Sequence, residues 1–166
     1  NIWYFGDGAG LDFNDSCKPR VLTNGAMNGF EGCATIADKS TGELLFYTNS
    51  EAVWNKNHQM MPNSSLIPGG STITQVLIIE RPGSNSQYYV ITSEIMTYSG
   101  QHYRFHLIDM NLNGGLGGFV YKDSMLYNLQ VSEKITAVRH LNGTDIWLLG
   151  HEYGTNNYLS FLVTPA

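Results

Sequence analysis

The chain has 166 residues, enough for one domain with its own core. Hydrophobic residues make up 42% and charged ones only 14%, so Asn, Ser, Thr, Gly and Tyr supply most of the polarity. The formal charge is −5 with nine scattered Lys and Arg, which excludes the basic stripe of a nucleic-acid binder, and no apolar run approaches the ~20 residues that cross a bilayer.

The opening Asn1-Ile2-Trp3-Tyr4-Phe5 reads as a strand, and its start without Met is what processing of an exported chain leaves. Two cysteines follow, Cys17 and Cys33. In an oxidising compartment they would close a small loop; the alternative is that Cys33 is a thiol on a strand. Without C-x-x-C spacing they make poor zinc ligands.

Beyond them, short β-rich runs recur between Gly, Asn, Pro and Ser, and no helical stripe interrupts them. A first unit, 31–60, holds strands at 33–37, Leu44–Thr48 and 52–55, with a turn at 39–42. A second, 75–110, holds Val76–Glu80, a turn at 82–85, then 88–92 and Tyr103–Asp109. A Gly-rich insertion at 113–118 and an extra strand near 119–121 come next. The third unit, 133–164, holds 135–140, a turn at 141–144, then 146–150 and 158–164. Each unit runs strand, Gly-containing turn, aromatic-rich strand, loop, strand. Units of 40–50 residues of this kind predict an all-β fold of propeller-type antiparallel blades. A single sandwich of about nine strands would share the strand count but not the repeated order. About three blades are too few to close a ring, so the expectation is a region of a larger propeller.

Several segments strengthen this reading: residues 1–13, Glu31-Gly32-Cys33-Ala34-Thr35-Ile36-Ala37-Asp38, Leu45-Phe46-Tyr47-Thr48-Asn49, Val53-Trp54-Asn55-Lys56-Asn57-His58, 109–117 and 133–138. Together they resemble the N-terminal region of large Bacteroidetes proteins exported by the type IX secretion system, gliding-motility-associated or adhesin-like and often carrying PKD-like repeats. The resemblance implies a propeller, secretion and surface display, with other domains of the same polypeptide as neighbours. It does not imply a ligand. A cysteine in Ser16-Cys17-Lys18-Pro19 departs from that pattern, which favours a local bridge to Cys33.

For chemistry, Asp109-x-Asn111-x-Asn113-Gly114 matches the first half of a calcium loop, but Val120 stands where the bidentate Glu belongs. The competing and preferred reading is an Asn/Gly turn. His102 and His106 are four apart, about 13 Å along one strand face, too far to share a metal. His151-Glu152 reads as a turn pair, and His58 and His140 stand alone. Asp7, Glu31, Glu94 and Glu152 are the acids that a hydrolase would recruit, with no motif to rank them. Of the aromatics that could stack on a sugar, Tyr98 and Tyr153 lie in loops and are the expected ligand contacts; Trp3, Trp54, Tyr103 and Trp147 read as core. No catalytic constellation is legible. The expectation is a non-catalytic extracellular recognition or adhesion module for a glycan or protein, with no cofactor unless calcium. An extracellular polysaccharide hydrolase and a structural segment of a surface assembly are the alternatives.

Overall fold

The computed structural model describes residues 1–15, 17–29, 31–64, 75–93 and 101–165. Thirteen strands run in chain order: β1 (Ile2–Phe5), β2 (Ala9–Asp12), β3 (Arg20–Leu22), β4 (Ala34–Ala37), β5 (Leu44–Thr48), β6 (Val53–Asn55), β7 (Val76–Glu80), β8 (Gln87–Ser93), β9 (Tyr103–Asp109), β10 (Gly118–Tyr127), β11 (Thr136–Arg139), β12 (Ile146–His151) and β13 (Tyr158–Val163). The one helical turn among the described residues is a 3-10 turn at Asn113–Gly115.

Strands adjacent in sequence pair with one another, giving four antiparallel sheets: β1–β3, β4–β6, β7–β10 and β11–β13, here sheets 1 to 4. Among the described residues they close into neither a barrel nor a ring. Sheets 2, 3 and 4 fall within residues 34–55, 76–127 and 136–163. The count of about three is corrected to four, because the opening segment builds a sheet of its own from β1, β2 and β3. The extra strand near 119–121 is the ten-residue β10, which completes sheet 3 along β9 with three register irregularities.

The sheets stack face to face in chain order, and side-chain alternation explains how. In sheet 2, the cross-strand row Thr35–Tyr47–Trp54 faces sheet 1, where Tyr47 and Trp54 join Tyr4 and Met27 in one buried cluster. The opposite rows place Phe46 and Val53 against Val76, Tyr88, Val90 and Ile108 of sheet 3. Sheet 3 in turn lays Ile79, Ile91 and Tyr103 against Ile135, Ile146 and Leu148 of sheet 4. Fully burying a side chain such as Phe46 or Val53 contributes about 1.5–3 kcal/mol.

Polar links tie the seams. β1 runs beside β4, and β4 beside β7. The Thr35 hydroxyl accepts the Tyr4 amide and donates to the Tyr4 carbonyl, each at 2.9 Å. Glu80 of sheet 3 meets Lys39 at 3.3 Å and Arg139 of sheet 4 at 3.4 Å, so one carboxylate joins three sheets. These pairs are exposed and add little to stability by themselves.

The expected bridge between Cys17 and Cys33 is not formed. Cys17 is exposed ahead of β3, whereas Cys33 packs against the Tyr4–Tyr47 cluster at the entrance to β4. Among the described residues no helix is long and apolar enough to cross a membrane.

Candidate recognition sites at the sheet ends

The segment that matches half of a calcium loop forms the Asn/Gly turn preferred from its sequence. Asp109 ends β9, and both its carboxylate oxygens already accept N–H donors. The Asn111 backbone amide reaches Oδ1 at 2.9 Å and the Gln87 side-chain amide reaches Oδ2 at 2.9 Å. These bonds, the Asn111 amide first, hold the Asp109 carboxyl below the usual carboxylate range. Asn111 turns its own amide to the Ser86 hydroxyl at 3.0 Å. Asn113 sits at φ 52° and donates to the Gly117 carbonyl at 2.9 Å, closing the glycine turn. Calcium takes six to eight oxygen ligands; here both Asp109 oxygens are engaged by N–H donors, and the Asn111 and Asn113 amides are turned to Ser86 and Gly117. The Asn/Gly turn is the arrangement found. Among the described residues no group of three or more His, Cys, Asp or Glu side chains could hold a metal.

Asp109, Asn111, Ser86 and Gln87 help to line a polar hollow of about 390 Å³ at one end of sheet 3. The β7–β8 turn contributes Arg81, Ser84, Ser86 and Gln87; Asp109 and Asn111 come from the β9–β10 connection. Arg81 donates to the Gln87 carbonyl oxygen at 2.6 Å, so guanidinium, amide and carboxylate form one chain of hydrogen bonds. Planar polar groups fixed in this way can exchange bonds with ligand hydroxyls.

Of the two expected aromatic contacts, Tyr98 lies outside the described residues. Tyr153 is exposed in the β12–β13 turn, its backbone amide held by the Gln130 carbonyl at 2.9 Å. Tyr153 is not brought to the polar hollow, which other elements line.

The remaining candidates resolve into structural roles. Asp7 bridges to Asn28 in the β1–β2 turn. Glu152 accepts the Asn157 amide at 3.0 Å and shapes the β12–β13 turn. Glu94 lies outside the described residues. His106 is wholly buried on β9, whereas His102 precedes that strand. The His140 ring packs 5.7 Å from Trp147, and His151 packs 5.0 Å from Tyr158.

Sequence reasoning missed the role of His58. It sits at φ 60° in the turn after β6 and bridges Tyr47 Oη (3.0 Å from Nδ1) and Asn24 Nδ2 (2.9 Å from Nε2). Asn24 also accepts the Tyr4 hydroxyl at 2.9 Å, and the Tyr47 hydroxyl accepts the Ala26 amide at 2.9 Å. Burial pushes the His58 pKa down, which keeps the ring neutral and able to accept from Asn24. The clasp fixes Tyr47, whose ring stacks between Tyr4 at 4.8 Å and Trp54 at 5.7 Å. No local motif announces this, because its members come from β1, β5, β6 and two loops.

No protein-family model, curated protein or solved structure matches the chain.

Proposed function

We propose that the chain is a non-catalytic recognition module of an exported, surface-displayed protein, built on a propeller-type arc and binding glycan through the ends of its sheets. The observation that carries this reading is the polar hollow at the end of sheet 3. There Arg81, Gln87 and Asp109 are hydrogen-bonded to one another and open to solvent, offering donors and acceptors to a ligand. The propeller reading is supported by four sequential meanders stacked face to face, with β1 beside β4 and β4 beside β7. A palette low in charge and rich in Asn, Ser, Thr, Gly and Tyr agrees with export. Electrophoresis through gels cast with neutral polysaccharides tests the function. The chain is expected to be retarded by at least one polysaccharide without releasing reducing ends. Release of reducing ends would replace this reading with that of a hydrolase.

One observation favours a second reading, a segment of a surface assembly. The outer faces of the two end sheets are apolar: Trp3, Phe5 and Val21 on sheet 1, and Val138, Leu149 and Leu162 on sheet 4, are all exposed. Packing of these faces against a further sheet would continue the stack.

A further inference from the structure

A second hollow, of about 380 Å³, opens where the segment before β4 meets the β5–β6 turn. Ala26 and Asn28 line it from one side, Asn49, Glu51 and Ala52 from the other, with Trp54 and Met60 completing the wall. Its construction is explicit. Asn49 is buried and holds the turn by accepting the Glu51 and Ala52 amides at 3.1 and 3.0 Å, while its own amide donates to the Asn28 carbonyl at 2.8 Å. Trp54 is fixed from behind by its stack on Tyr47, which the His58 clasp locks in turn. The small Ala26 and Ala52 leave the space in front open.

Three groups in this wall have no partner among the described residues. The side chains of Glu51 and Asn28 are exposed and make no hydrogen bond or ion pair. The third is the indole N–H of Trp54, on a residue only 8% exposed. A buried indole N–H ordinarily finds an acceptor. This one has none, yet it is not sealed from solvent.

We infer that this hollow is a saccharide site. The claim rests on the recognition reading above and adds the residues and the ligand class. A sugar ring presents hydroxyls that both donate and accept, together with an apolar C–H face. The Trp54 N–H supplies a donor, the Glu51 carboxylate an acceptor and the Asn28 amide both, while Met60 and the Trp54 ring supply apolar surface. A quaternary ammonium would need open aromatic faces around it. Here one face of Trp54 is already covered by Tyr47.

The test is an indole ¹⁵N–¹H titration of the whole chain with N-acetylglucosamine, galactose and mannose in turn. Its three tryptophans give three cross-peaks, assigned with Trp3→Phe and Trp147→Phe. The Trp54 peak is expected to shift saturably with at least one sugar while the other two stay put. Glu51→Gln is expected to weaken that binding about tenfold, the loss of a hydrogen bond to a charged group, with an unchanged melting temperature. Tyr153→Ala should leave the titration as it is. The inference is overturned if no sugar moves Trp54, if Glu51→Gln binds as tightly as the parent, or if choline moves Trp54 and sugars do not. Retention by a polysaccharide gel with a silent Trp54 removes this site but keeps the recognition reading. Failure of both removes both.

Discussion

His106 carries the clearest consequence at the scale of a single residue. It is wholly buried on β9, with Nδ1 accepting the Asp123 amide at 2.9 Å and Nε2 lying 3.2 Å from the Thr92 hydroxyl. A neutral ring with its proton on Nε2 satisfies both contacts; a protonated ring would oppose the Asp123 N–H. Burial first, then the charges of Lys122 and Arg104, pull its pKa down to about 4. The unfolded chain takes up this proton near pH 6.5 and the folded chain only near 4. The stabilisation is therefore complete above pH 6.5 and is lost as pH falls toward 4, by up to about 3 kcal/mol. Urea unfolding at pH 7 and pH 4.5 should show this loss, and His106→Gln should lose distinctly less between the same two pH values. Equal losses in both proteins would contradict the assignment. Sequence spacing placed His102 and His106 on one strand, whereas His102 precedes β9. It could not reveal the burial of His106, because a strand covered on both faces loses the alternation that marks inside from outside.

Among the elements, the seam between sheets 3 and 4 depends on one matched pair of sizes. The Tyr103 ring lies directly over Gly150 of β12, and a Cβ there would overlap the ring. Its hydroxyl, 2.9 Å from the Ser132 carbonyl and 2.8 Å from that of Lys134, prevents the ring from turning aside without losing a hydrogen bond. Gly150→Ala is expected to destabilise the fold by about 1–3 kcal/mol, the range for overpacking. Thermal unfolding checks this, and Tyr103→Ala in the same chain should remove the penalty of the added methyl. The strands of this region were legible beforehand, since Val76–Glu80 and Tyr103–Asp109 appear with their expected bounds and β12 ends only one residue further on. Glycine turns bounded them. The short β2 and β3 were not legible, because Arg20–Leu22 has two exposed residues out of three and no alternation. What holds it in place is non-local: pairing with β2 and an Arg20–Asp12 ion pair at 2.8 Å. The calcium motif was misleading for a related reason. The Asp109 carboxylate accepts from Gln87 and the Asn111 amide nitrogen donates to Ser86, partners that lie more than twenty residues earlier in the chain.

For the whole molecule, stacking order explains which surfaces remain open. Sheets 2 and 3 are covered on both faces, and their strands hold most of the fully buried large side chains. Sheets 1 and 4 are covered on one face only, yet β1 and β13 are apolar on both. A near-continuous apolar strand ordinarily marks a sheet covered on both sides. Runs such as Ile2-Trp3-Tyr4-Phe5 displayed this property in the sequence, but the seam each face joins depends on long-range packing that no local pattern encodes. Sedimentation velocity of the isolated chain should show association that grows with concentration. Val21→Lys combined with Leu162→Lys, one charge on each end face, should suppress it. A parent chain that stays monomeric at every concentration would mean that these faces tolerate water.

Recognition through the sheet ends is the claim on which the functional account stands, and a glycan array probed with the labelled chain tests it most directly. Binding is predicted to a restricted set of neutral glycans, reduced by Glu51→Gln or Asp109→Ala and retained by Val21→Lys with Leu162→Lys. An array without a single bound glycan, from a chain whose fold is intact, would contradict the account.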